Sequence, residues 1–201
     1  TGGDPEIVKV LFLAHCMEEK GLFDTMRAVV LANRTLAEQQ SPIRIKLMAA
    51  GTFVTAKERD QFDTFLRDPE FERAVEYLGF VSGAGKERAL QQCDLFCFPT
   101  YYLGENLIEA MAHGLPLIVT RWRSLAEMLP DDYAGLVSIK SPDQIAAALL
   151  NVMTQETGES FRAMFLARFT IEAHLTKLAA ALTSVEKNSL QPATELAATT
   201  R

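Results

Sequence analysis

Hydrophobic and polar positions along this chain follow two alternating rhythms. Short, nearly unbroken apolar runs recur at residues 7–14, 43–50, 75–81, 94–98 and 117–119, with a brief one at 135–139. Runs of this length, bounded by turn residues, read as strands buried on both faces. Between them, apolar residues return at helical spacing. Phe23, Met26, Val30, Leu31 and Leu36 form one stripe, and Ile145, Ala148, Leu149 and Val152 another. Phe62, Phe65 and Leu66 mark a helix that begins at Thr55 and ends at Asp68-Pro69. A short helix is expected over 86–92, one through Leu107, Ala110 and Met111, and one or two over 161–185. Asp24 sits where a cap or first-turn acid belongs, Gly114 where a helix ends, and Pro142 at a first helical position. Strands separated by helices in this way predict an α/β fold: a single doubly wound Rossmann-like parallel sheet over 1–185, with C-terminal helices. The residues from Glu186 onward, 186–201, read as a polar tail.

The polar residues that interrupt these runs gather at strand-to-helix transitions. After the run 94–98 come Pro99, Thr100, Tyr101 and Tyr102, then Glu105, Asn106 and Glu109 at the start of a helix. After the first run come His15, Lys20 and Gly21. In an open parallel sheet the C-terminal ends of the strands, where helices begin, form the ligand crevice. A lysine there is a point charge for phosphate, whereas a histidine lacks arginine's bidentate fork and constant charge. A carboxylate such as Glu109 can accept two hydrogen bonds from neighbouring hydroxyls. Asn106 and Leu107 are placed to offer backbone N–H groups at the helix start. Gly83-Ala84-Gly85-Lys86 lacks the spacing of a Walker phosphate loop and is rejected as one. Tyr101 and Tyr102 are expected to pack or line the cleft, Arg121, Trp122 and Arg123 to flank it or pack, and His113 and His174 to be structural.

Pro99-Thr100, Glu105, the run Glu109-Ala110-Met111-Ala112, Gly114-Leu115-Pro116 and Glu127 together resemble the donor-site segment of group 1 (family 4) retaining glycosyltransferases of the GT-B type. The resemblance covers roughly residues 10–182. It implies that Glu109 holds the nucleotide ribose and that Glu105, as the catalytic-site acid, contacts the transferred sugar. The loop before Lys20-Gly21 resembles the family's Gly-Arg-x4-Lys-Gly element, with Ala14 for glycine and His15 for arginine, which implies that His15 and Lys20 meet the donor diphosphate. Tyr77-Leu78-Gly79-Phe80-Val81 resembles the strand end beside the base, implying a backbone contact from Val81 and close approach at Gly79. The spacing departs from the family's Glu-x7-Glu pair, because Glu105 and Glu109 are four apart and Tyr101 stands eight before Glu109. The good match of both flanks favours an omission of four residues between Glu105 and Leu107 over a truncated loop. The resemblance further implies a nucleotide-diphosphate sugar as substrate, transfer of a hexose-type sugar, no metal or cofactor, and an N-terminal GT-B half outside this chain. Without that half, little or no turnover is expected.

Composition narrows the alternatives. A net charge of −6 argues against broad nucleic-acid binding. Cys16, Cys93 and Cys97 all lie in or beside apolar runs and read as reduced, buried thiols of a cytoplasmic protein. No apolar run approaches the about 18–20 residues of a membrane span, so membrane contact is expected only through parts outside the chain. Two other functions fit the architecture: a nucleotide-sugar epimerase or phosphorylase-like enzyme, and a non-catalytic interaction module with a degraded donor site.

Overall fold

The computed structural model describes residues 6–102, 107–122, 128–154 and 157–189. Glu105, Asn106, Arg123 and Glu127 lie outside the described residues. Six strands form one parallel sheet: β1 (Glu6–Leu13), β2 (Ile43–Ala50), β3 (Val75–Gly79), β4 (Leu95–Phe98), β5 (Leu117–Thr120) and β6 (Leu136–Val137). Their spatial order is β3-β2-β1-β4-β5-β6, so the chain winds outward from β1, returns, and winds out the other way from β4. This is the doubly wound order expected from the apolar rhythm, and it reverses between β1 and β4. Right-handed crossovers then put the β1–β2 and β4–β5 connections on opposite faces of the sheet.

The core follows from the same pattern. Leu11, Phe12, Phe96, Cys97, Phe98, Leu117 and Ile118 are all fully or almost fully buried. α1 (Leu22–Glu38) buries Phe23, Met26, Val30 and Leu36 of its predicted stripe and leaves Leu31 half-buried. α6 (Pro142–Val152) packs along α1 and buries Ile145, Ala148, Leu149 and Val152. All three cysteines are free and buried, which pushes the Cys16 and Cys97 thiols up to about 12 and Cys93 to about 11.

Several boundaries differ from expectation. The segment after α2 (Ala56–Phe65) is no plain stop: Asp68 caps a further helix, α3 (Pro69–Ala74), accepting from the Glu70 N–H at 2.9 Å with Pro69 in the first turn. β3 ends at Gly79 rather than 81, because Gly79 turns to φ +70° and leaves Phe80 72% exposed. The helix predicted from Lys86 begins three residues earlier, as α4 (Gly83–Gln92). α5 (Leu107–Ala112) matches its prediction, and β6 is shorter than expected. The C-terminal helices are two, α7 (Gly158–Arg168) and α8 (Ile171–Ser189). The chain separates into two compact units, Thr1–Arg162 and Ala163–Arg201. In the second, Ile171, Leu175, Leu178 and Leu182 of α8 are exposed. No described helix is long and apolar enough to cross a membrane.

One side chain completes the sheet. β3 reaches β2 only from Leu47 onward, so the Ile45 backbone has no strand beside it on that side. Asn33 of α1 fills the gap: its Nδ2 donates to the Ile45 carbonyl and its Oδ1 accepts from the Ile45 N–H, both at 2.8 Å. An amide supplies the donor and acceptor that a neighbouring strand would have offered. Asn33→Ala leaves both groups unpaired and is expected to lower stability by about 1–3 kcal/mol in urea unfolding, at an unchanged m-value. Asn33→Asp, which keeps the acceptor and loses the donor, is expected to be destabilised as well.

Candidate functional site

The segments that follow β1 and β4 are joined by hydrogen bonds to the Glu19 carbonyl that fix the first loop. Gly21 caps a single turn of 3-10 helix, Glu18–Lys20, at φ +82° and also opens α1. A Cβ on Gly21 would lie 2.6 Å from both Cγ and the carbonyl oxygen of Pro99, so only glycine permits this approach at this φ. The Glu19 carbonyl accepts from the Tyr101 N–H at 3.0 Å, and the Thr100 hydroxyl lies within reach of both the Glu19 carbonyl, at 3.1 Å, and the Tyr102 carbonyl, at 3.0 Å. The Thr120 hydroxyl at the end of β5 donates to the Thr100 carbonyl. Three strand ends are thereby held in register around Lys20.

Lys20 is only 8% exposed. Its ammonium stands 5.6 Å from the Phe98 ring centre and 5.2 Å from that of Tyr102, two aromatic faces that favour a cation. Burial nevertheless lowers its pKa, because the charged form loses water. Tyr101, eight residues before Glu109, is pushed up to about 12 by burial and by Glu18, Glu19 and Asp24, and the Lys140 ammonium lies 5.0 Å from its ring centre.

A cavity of about 320 Å³ opens at this end of the sheet. His15 and Lys20 line it from the first loop, Phe80 and Val81 from the end of β3, and Lys86 and Glu109 from α4 and α5. Of the residues singled out in the sequence, His15, Lys20, Val81 and Glu109 therefore share one cavity. Gly79 lies one residue behind Phe80, and a Cβ there would meet no protein atom within 4 Å, so its φ of +70° is what calls for glycine. Leu107 opens α5 and is buried. The sequence reading missed Lys86, whose ammonium lies 2.6 Å from Glu109 Oε1. No local signal marks this pair, which spans 23 residues.

The loop is less of an amide cradle than its position suggests. The N–H groups of Ala14, Cys16, Met17, Lys20 and Gly21 all donate to backbone carbonyls of the protein. His113 lies 3.3 Å from Glu87, and Arg121 donates to the Asp131 carbonyl at 2.8 Å, so both have structural partners. A slightly larger cavity, about 360 Å³, lies at the opposite end of the sheet among Ile7, Arg44 and Lys46. There Arg34 is paired with Glu70 and Lys46 with Glu76, and the site is away from the strands' C-terminal ends.

With this geometry in place, residues 8–155 match the family model described as "Glycosyl transferases group 1", and the chain belongs to that family. It is 23% identical over 178 residues to the amylovoran biosynthesis glycosyltransferase AmsK of Erwinia amylovora, covering 85% of this chain and 42% of that protein. It is 31% identical over 105 residues to a phosphatidyl-myo-inositol mannosyltransferase of Mycolicibacterium smegmatis, covering 50% of this chain and 26% of that one. The chain thus spans less than half the length of these curated relatives. Among solved structures, Anabaena HepE in complex with UDP and glucose shares the fold at a TM-score of 0.71 and 17% identity, over 90% of this chain and 49% of that one. The C-terminal domain of a group 1 family protein, LpcC of Francisella tularensis, shares it at 0.69 and 17% identity, over 83% of this chain and 88% of that one.

The buried ammonium of Lys20 gives a pH signature. Its pKa is lower folded than unfolded, so the unfolded chain binds more protons between the lowered value and the ordinary 10.5. Stability contributed at this position rises with pH across that window. Comparison with Lys20→Met by urea unfolding from neutral pH to about 10.5 is expected to show the unaltered protein gaining on the variant as pH rises.

Proposed function

We propose that the chain is the donor-binding half of a retaining glycosyltransferase that uses a nucleotide-diphosphate sugar. The observation carrying this reading is that Lys20 and Glu109 line one cavity at the C-terminal ends of the strands, where the sheet order reverses. The nucleotide bound by HepE in its own fold of this type lends support. In this reading Lys20 meets the diphosphate and stabilises the negative charge that develops on it as the sugar leaves, with His15 beside it. The Glu109 carboxylate takes the ribose hydroxyls, and the Val81 backbone and the exposed Phe80 ring flank the base. Glu105, which lies outside the described residues, is assigned to the hexose-type sugar. Protein groups rather than a metal neutralise the diphosphate. The acceptor and the other wall of the cleft belong to an N-terminal half, so this chain alone binds donor and turns over little. The buried free thiols fit a cytoplasmic setting.

Calorimetric titration of UDP, GDP and ADP into the chain tests this reading. Saturable binding of one nucleotide is expected, weakened roughly tenfold or more by Lys20→Ala and by Glu109→Ala, as for loss of a charged hydrogen-bonding partner. Binding of none of the three to a folded sample would sink the donor-site reading and favour a non-catalytic interaction module.

A further inference from the structure

The Lys86–Glu109 pair joins two helices across the mouth of the cavity. α4 follows β3 and α5 follows β4, so the elements that carry the two residues belong to different crossovers of the sheet. Lys86 Nζ lies 2.6 Å from Glu109 Oε1, and both side chains are partly exposed, at 36% and 45%. No other described residue donates a hydrogen bond to the Glu109 side chain. A second contact runs from the adjacent Glu87 to His113, just past the end of α5, at 3.3 Å, so α4 and the α5 segment are joined at two points.

A glutamate that is to receive two adjacent hydroxyls has to be held against its own rotamer freedom, because each immobilised side chain costs affinity. A charge-assisted bond to one oxygen does this and leaves the other oxygen with its lone pairs. Both residues line the cavity, so the bond is formed where a ligand would meet it. As an ion pair between partly exposed groups it adds little to folding. Its geometry accounts for orientation better than for stability.

We propose that Lys86 is a positioning residue for Glu109: its ammonium holds the carboxylate for the vicinal hydroxyls of a ribonucleotide. This rests on the reading of the cavity as a nucleotide-sugar site. Lys86 acts through Glu109, so its effect depends on the hydroxyls that Glu109 receives.

The test is a titration of the chain, Lys86→Met and Lys86→Arg with whichever of UDP, GDP and ADP binds, and with its 2′,3′-dideoxy counterpart. Lys86→Met is expected to weaken the ribonucleotide about three- to tenfold, in the range of a charged pair at a partly exposed site, and the dideoxy ligand less than about twofold. Lys86→Arg, which keeps the charge, is expected to restore most of the loss. Equal losses for both ligands overturn the proposal, since Lys86 would then act on another part of the nucleotide. An unchanged affinity in Lys86→Met, with Glu109→Ala still weakened, overturns it while leaving the donor-site reading standing. If no nucleotide binds the unaltered chain, both fall together.

Discussion

The Glu19 carbonyl is the point on which the candidate site depends. It accepts from the Tyr101 N–H and lies within reach of the Thr100 hydroxyl, tying the loop after β1 to the residues after β4. In a doubly wound sheet these two strands are neighbours whose following helices leave on opposite faces, so the ends open into a crevice. Something must keep the crevice from spreading. Here the backbone does it, assisted by the close approach of Gly21 to Pro99 that no side chain at 21 would allow. The Thr120 hydroxyl extends the same seam to β5.

What the seam holds is a cation in a confined place. Lys20 lies against Phe98 and Tyr102, mostly out of water, and burial lowers its pKa. On the proposed donor-site reading, this desolvation is done during folding rather than on binding of the diphosphate. The carboxylate on the other wall is treated differently. Glu109 remains partly exposed and is held by a lysine from another helix, which suits a group that receives neutral hydroxyls rather than a charge. On that donor-site reading, Lys20 takes the diphosphate and Glu109 the ribose hydroxyls.

Much of this was legible in the chain because local and global preferences agree. The strands β4 and β5 are apolar runs buried throughout, β1 and β2 become so toward their C-terminal ends, and the stripe of α1 fixes which face it buries. His15, Lys20, Val81 and Glu109 were singled out through the family resemblance, and the topology brings all four to one cavity. What escaped was of two kinds. Asp68-Pro69 is both a helix stop and a helix start, and six residues of α3 carry too few apolar positions to show a period. Lys86 and Asn33 act through partners distant in sequence, and nothing in their neighbours announces it. The internal use of the amides around Lys20 is likewise a product of the turn geometry, invisible in residue types.

In the proposed arrangement Lys20 holds the diphosphate and Glu109 the ribose of one nucleoside diphosphate. An atomic-resolution structure of the chain with that nucleotide bound tests it most directly. The account predicts the diphosphate within hydrogen-bond reach of the Lys20 ammonium and both ribose hydroxyls on the Glu109 carboxylate, with Lys86 still on its other side. A nucleotide seated in the cavity at the opposite end of the sheet, or one in this cavity with its ribose turned away from Glu109, would contradict it.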